Sequence, residues 1–320
     1  MKRIIVVFIV CLLPAVLWAS QRKTAAITDF SVQGNGITKS SLSSFPLRVT
    51  CSEPDGITLT GNLILPPDWN GDAGILLYKN LMSCKVYVNG ELIDTIGRSG
   101  PDFFFQPYIS GGVLVPLSIL KEKNTVRFEL WNDTGTYKIR QLDVVDSVTY
   151  KRDILIYNFL DIQLPRFASV LLFFVAVYSL FMFVNYKEKK EFLHLSLSSF
   201  FFAVYLLNVT IYSADINYLL LKAFLYSCFP ASILFIIHFF RLYFVIPTSK
   251  KIKYGLNILG LIFIAGYYFQ RSTAALDAWH SVMLVYPFIG LGYGIYGFLK
   301  SLKENGSRNL STGIGLLIAI

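Results

Sequence analysis

Five stretches of 17 to 22 residues carry no Asp, Glu, Lys or Arg: 167–186, 195–214, 223–240, 254–270 and 278–299. Crossing the hydrocarbon core of a bilayer as a helix takes about twenty apolar residues. Only helices and closed barrels cross at all, because backbone N–H and C=O groups find no water there. No other feature of the chain restricts its fold as strongly. With flanking residues the spans read as about 167–186, 192–212, 218–244, 254–270 and 279–299. A sixth apolar stretch, 310–320, reads as an incomplete span, and the sequence ends at Ile320.

Charge is scarce and unevenly placed. Charged residues make up 15% of the chain, against about 25% in soluble domains, which excludes one ordinary soluble enzyme. The net charge is +9, and residues 164–320 hold 13 Lys/Arg against 5 Asp/Glu, whereas residues 21–163 hold 14 against 15. The excess sits in the apolar half, so a basic nucleic-acid-binding domain is excluded and the bilayer is the expected partner. Lys187, Lys189 and Lys190, then Lys250, Lys251 and Lys253, then Lys300, Lys303 and Arg308 fall in alternate connections. The other connections carry Asp215, and Arg271 with Asp277. Cytoplasmic loops are enriched in Lys and Arg, which predicts these three loops inside and the N-terminal half outside.

Residues 1–20 support the same orientation. Met1-Lys2-Arg3 precedes an apolar run, Ile4 to Leu13, then Pro14 and the small residues Ala19 and Ser20. That is the layout of a signal peptide, with an uncleaved anchor helix as the alternative. Residues 21–44, rich in Ser, Thr, Gly and Asn, read as an extended lead-in. From 45 to 150 the pattern becomes short alternating strands. Val126, Phe128 and Leu130 point one way and Arg127 and Glu129 the other, the period of two that a half-buried strand shows. Asn70-Gly71 and Asn89-Gly90 are hairpin signals. The expected fold is therefore an all-β jelly roll or β-sandwich, a link over 151–166, and an all-α transmembrane bundle over 167–320.

Catalytic constellations are not found. The three histidines, His194, His238 and His280, all lie in the apolar half, so the β domain holds no Ser-His-Asp or Cys-His system and no His-ligated zinc. No phosphate-cradling glycine loop occurs, and no cofactor or metal is expected. Glu91 and Glu129 fit solvent faces of strands. Asp68-Trp69-Asn70-Gly71-Asp72 has calcium-like oxygens but lacks the later bidentate Glu, and reads as a turn. Phe103, Phe105 and Tyr108 form an aromatic patch suited to a sugar or another amphipathic ligand; capping of the sandwich or contact with the membrane surface is the alternative. Arg98, Trp131 and Asn132 are weaker candidates for the same ligand site. Cys51 and Cys84 either form a disulfide or remain two buried thiols. In the bundle, His238 and Arg241 are intramembrane polar residues one turn apart. Such groups are commonly functional, although Arg241, like Lys222 at the opposite end of its span, is expected to snorkel.

One stretch, Val86-Tyr87-Val88-Asn89-Gly90-Glu91-Leu92-Ile93-Asp94-Thr95-Ile96-Gly97-Arg98, resembles the sensory jelly roll of bacterial seven-transmembrane receptors with diverse intracellular signalling modules. Leu65-Pro66-Pro67-Asp68-Trp69 resembles the same module, which is similar to galactose-binding β-sandwiches. Tyr178 to Tyr186, the Lys-rich turn and Phe192 to Asn208 resemble that family's first two spans. The resemblance covers about residues 45–320. It implies a receptor in the cytoplasmic membrane that binds a small ligand, carbohydrate above all, and relays its state through seven helices to a cytoplasmic signalling module. That module would follow a seventh span, which lies past Ile320, so the chain reads as truncated within the sixth. No enzymatic activity is expected of the residues present. A membrane-tethered carbohydrate-binding or adhesion protein, and a transporter, are the competing readings.

Overall fold

Alternating apolar and polar residues build an antiparallel β domain, and the uncharged stretches build helices, as expected. The computed structural model describes residues 23–34, 37–42, 47–50, 56–78, 83–98, 111–132, 136–139, 141–209, 211 and 217–305. The expected signal peptide, Cys51, Phe103, Phe105, Tyr108 and the stretch 310–320 lie outside them. The chain divides into two units, Met1–Asp161 and Ile162–Ile320.

The strands of the first unit are β1 (Thr24–Gly34), β2 (Ile37–Leu42), β3 (Leu47–Thr50), β4 (Ile57–Ile64), β5 (Ala73–Tyr78), β6 (Ser83–Val88), β7 (Glu91–Ile96), β8 (Gly111–Val115), β9 (Lys123–Trp131), β10 (Thr136–Ile139) and β11 (Gln141–Asp146). Their order is β7-β6-β9-β4-β1-β11-β5-β8, with β2 beside β1 and β10-β3 as a separate pair. The two ends of the order approach each other, since a Cβ on Gly111 of β8 would lie 3.0 Å from Ile96 of β7. The sheet is thus a nearly closed barrel around one core. That core includes Ile57, Leu59 and Leu63 of β4, Val86 and Val88 of β6, Val126, Phe128 and Leu130 of β9, and Ile75 and Leu77 of β5.

Within the expected lead-in over 21–44, the described residues form two strands, Thr24–Gly34 and Ile37–Leu42. Thr24 and Ala25 pair with Val145 and Val144 of β11, and from Ala26 to Gln33 the strand pairs with β4. At Asp29 the backbone turns left-handed, with φ of 53°, where the register shifts between Thr28 and Ser31. This bulge lets β1 exchange β11 for β2 along one edge. Only Phe30 and Val32 of β1 are buried, so its composition hides the strand. The two Asn-Gly pairs also differ. Asn89-Gly90 closes the β6–β7 hairpin, both residues at positive φ, as a type I′ turn requires. Asn70-Gly71 joins β4 to β5, which are not partners. There Pro66 and Pro67 cannot both extend a ladder, and Trp69 Nε1 donates to the Gly71 carbonyl at 2.8 Å.

The expected link over 151–166 is helical. Helix α1 (Ser147–Asn158) starts on the N-cap Asp146, which accepts from the Val148 and Thr149 N–H groups at 3.0 Å each and from the Thr149 hydroxyl at 2.6 Å. A π turn, Phe159–Gln163, joins it to α2 (Leu164–Asn185), which has Pro165 in its first turn. Proline removes the N–H that an α-helix would use there, and a π turn absorbs such a break. Helix α1 packs on β5, β8 and β11. Its Tyr150 fills the space that side chains on Gly74 and Gly112 would occupy, and Leu76 and Val145, on the sheet face turned from the core, are fully buried.

The second unit adds α3 (Lys190–Leu206), α4 (Tyr218–Tyr243), α5 (Lys250–Gly266), α6 (Thr273–Met283) and α7 (Tyr286–Asn305). Five helical segments are long and apolar enough to cross a membrane: Ser147–Asn185, Lys190–Val209, Tyr218–Tyr243, Lys250–Phe269 and Thr273–Lys300. Helix α4 is central and packs against α3, α5 and α7. Serines tie the neighbours together: Ser169 donates to the Ala203 carbonyl at 2.9 Å, Ser196 to Ala176 at 2.8 Å and Ser198 to Ser232 at 3.0 Å. Gly290 and Gly294 of α7 face Ile233 and Phe240 of α4, the close approach that GxxxG spacing permits.

Two outcomes are expected. Gly74→Val collides with Tyr150 and destabilises the first unit by about 1–3 kcal/mol, read by chemical unfolding of the full chain in detergent. Combined with Tyr150→Ala it adds little to the cost of that second change. Burial pushes the Asp146 carboxyl up, but the bonds from Thr149 and Val148 outweigh it and hold the carboxyl below its ordinary value. The cap therefore contributes its full ~1 kcal/mol above the unfolded Asp pKa of about 4. It loses that contribution as pH falls through the lower folded value. In Asp146→Asn this part of the pH dependence disappears.

Candidate functional site

A cleft of about 400 Å³ opens on the outer face of the barrel, lined by residues of β1, β4, β6, β7 and β9. Strand pairing explains it. Gln33 lies opposite Thr58, Thr58 opposite Glu129, Glu129 opposite Lys85, and Lys85 opposite Thr95. Outward positions on five strands thus form one polar row. Trp131, two residues beyond Glu129 and on the same face, stands across from Ser83, and Gly34 and Gly56 line the adjoining rim, where a Cβ on Gly34 would lie 2.9 Å from Ile57. Gly56 holds φ of +85°, and its N–H donates to Tyr137 Oη at 3.0 Å.

The carboxylate in the row is held in place. Tyr87 Oη donates to Glu129 Oε2 at 3.1 Å, and Arg127 lies 3.4 Å from Glu129 Oε1 while its guanidinium sits 4.1 Å from the centre of the Tyr87 ring. Burial, with the Glu129 carboxylate beside it, pushes the Tyr87 hydroxyl up, Arg127 opposing. Glu129 is the one carboxylate among the described lining residues. The cleft therefore offers an ammonium, a carboxylate, an amide and hydroxyls beside an indole. Groups of these kinds are chemically suited to hydrogen bonds with hydroxyls and to stacking on an apolar ring face.

Of the candidates read from sequence, Trp131 lines the cleft and the buried Asn132 follows it. Arg98 is exposed past β7 and is not among the described lining residues. Cys84 is a free thiol at the cleft floor, 2% exposed; burial, with the Glu129 charge, pushes its pKa up. Gln33, Thr58, Ser83, Lys85 and Thr95 were not candidates, because only the register between distant strands aligns them. The Asp68–Asp72 turn is occupied otherwise: Asp68 pairs with Lys23 at 2.7 Å and Asp72 accepts from the Leu117 N–H at 2.9 Å. Lys23, by hydrogen bond and charge, holds the Asp68 carboxyl below its ordinary value. Among the described residues no three or more His, Cys, Asp or Glu converge as metal ligands.

The bundle holds two polar clusters. At one end Lys222 of α4, 4% exposed, pairs with Asp277 of α6 at 2.9 Å, and Tyr226 donates to the same carboxylate at 3.2 Å. His280, 4.4 Å from the Tyr226 ring, has Tyr267 Oη 2.7 Å from Nδ1 and Tyr205 Oη 3.4 Å from Nε2. Lys222 therefore does not snorkel: Asp277 and the rings of Tyr218 and Tyr226 surround its ammonium. At the other end His238 is buried and bonded to Asn257, and the Nε of Arg241 is buried as well, so Arg241 is not simply extended into solvent.

Against protein-family models and against curated proteins, the chain finds no match.

The ion pair is asymmetric, since the Lys222 side chain is 5% exposed and that of Asp277 48%. Asp277→Asn strands a buried ammonium and costs up to about 3 kcal/mol. Lys222→Met deletes the buried charge and leaves a carboxylate that water reaches. The first variant is expected to have the lower unfolding midpoint in detergent.

Proposed function

We propose that this protein is a membrane signalling receptor. Its β domain senses a small hydroxyl-rich ligand, carbohydrate by class, outside the cytoplasmic membrane, and the helical bundle relays the bound state to a cytoplasmic signalling module. The carrying observation is the path of β1. Its C-terminal residues Gln33 and Gly34 line the cleft, and its N-terminal residues pair with β11, whose last residue caps α1. The Asp146 N–H also donates to the Lys23 carbonyl at 3.3 Å. A ligand that tightens the row around Gln33 thus acts on a strand bonded to the base of the helix that leads into the first span.

Three further points support the reading. The resemblance over residues 86–98 and 65–69 is to a sensory jelly roll, and that over 178–186 and 192–208 is to the first two spans of the bundle that follows it. Alternation of basic loops favours the β domain outside. The cleft has a single described carboxylate, whereas glycoside hydrolysis generally uses a pair, which favours binding over catalysis. The shift delivered to the bundle equals the ligand's differential affinity for the two states and no more.

Calorimetric titration of the full chain in detergent with neutral sugars, galactose among them, tests the ligand class. Saturable binding is expected, weakened at least about tenfold by Trp131→Ala and by Glu129→Gln, a loss of about 1.4 kcal/mol. Binding of none of the sugars, or binding indifferent to both substitutions, overturns the cleft assignment. Hydrogen exchange at Val148 and Thr149 tests the relay. Slower exchange with bound sugar is expected of a receptor, and binding without any change there marks a tether.

A further inference from the structure

Where the bundle carries its basic loops, α3, α4 and α5 bring together His194, His238, Arg241, Lys253 and Asn257. The His194 and His238 rings lie 5.2 Å apart. His238 is 7% exposed, and its Nε2 is 2.7 Å from Asn257 Oδ1. Three nitrogens here are buried without a hydrogen-bond partner: Nδ1 of His194, Nδ1 of His238 and Nε of Arg241. The charges acting on the two imidazoles from α4 and α5 are Arg241 and Lys253, and no described carboxylate acts on them. The opposite end of the bundle is built otherwise, because there Lys222 has Asp277 and His280 has two tyrosines.

Buried polar atoms in folded proteins are bonded in the large majority of cases. Three unbonded nitrogens in one place, beside two cations without a counter-charge among the described residues, form a set of groups complementary to an acceptor. That acceptor must be anionic and take several hydrogen bonds at once. A phosphate does both, and guanidinium is its best side-chain partner. No extra proton is needed on His238. With the Asn257 amide turned so that Nδ2 donates to Nε2, the Nδ1 of the neutral ring carries the hydrogen and becomes a donor. Arg241 Nε–H is a donor in any case.

We infer that His194, His238 and Arg241, with Lys253 beside them, form a binding site for a phosphate-type oxyanion. The same chemistry is offered by the headgroup of an acidic phospholipid and by free inorganic phosphate. Lys187, Lys189, Lys190, Lys250 and Lys251, in the neighbouring connections, raise the local concentration of either. Occupancy ties α3 and α4 through one ligand at an end of the bundle where the Nδ1 of each imidazole otherwise lacks a bond.

The full chain in dodecyl maltoside is titrated with inorganic phosphate in one arm and short-chain phosphatidylglycerol in the other, with zwitterionic short-chain phosphatidylcholine as control. Saturable thermal stabilisation is expected in at least one anionic arm and not in the control. Saturation by inorganic phosphate makes the free anion sufficient; saturation by phosphatidylglycerol alone assigns the site to a lipid headgroup. Arg241→Gln should weaken binding at least tenfold. Lys300→Gln, whose ammonium bonds the Val245 carbonyl, should change it less than twofold. Equal losses in the two variants mean general attraction to a basic surface and overturn the proposal, as does saturation in neither arm. A measurement on the unaltered chain stands beside these. With 15N-labelled histidine, the His194 and His238 Nδ1 resonances should move on saturation while that of His280 stays; if none moves, the site is wrong.

Discussion

Strand β1 has three partners, and the β domain depends on that. Its first residues bond to β11, the rest bond to β4, and β2 takes over the edge that β11 leaves. The exchange occurs at Asp29, a non-glycine residue in the left-handed region, where short polar side chains are tolerated best. A regular strand would stay with one neighbour on each side. Because this one changes neighbours, the polar row on one stretch of the barrel and the capped helix on another share a single backbone. Ladder hydrogen bonds are not readily stretched, so a strand paired on both sides transmits displacement better than a loop would.

Much of this was legible in the sequence, for reasons that differ between the halves. Bilayer thickness fixes helix length, so five spans could be counted from the spacing of charges alone. In β9 and the β6–β7 hairpin, strict alternation and Asn89-Gly90 sufficed, because period and turn chemistry are local. Strand β1 was not legible. With Thr28, Ser31 and Gln33 outward, only Phe30 and Val32 buried, and Ala25 and Ile27 at the edge of the core, it has the composition of a linker, and its burial comes from neighbours far away in the chain. The cleft failed for the same reason. Trp131 and Asn132 stood out as residues, but Gln33, Thr58, Lys85 and Thr95 come together only through the register of strands from separate parts of the chain.

Lys222 illustrates the same limit inside the bundle. A lysine near the end of a span normally reaches for water, which is sound reasoning for a helix considered alone. What reverses it is a carboxylate on another helix within 2.9 Å and two aromatic faces beside it. The alternating serines at the α2–α3 and α3–α4 contacts belong to the same category. Each reads as a weak break in hydrophobicity, and each donates to a carbonyl of the next helix, which lipid could not have provided.

The Lys222–Asp277 pair also carries information about time. Polypeptide emerges from the ribosome in order, and Lys222 precedes its counter-charge by 55 positions. Until α6 packs beside α4, the ammonium at that end of the helix has no carboxylate to pair with, and its burial is costly. The pair thus makes the seating of the central helix conditional on a later one.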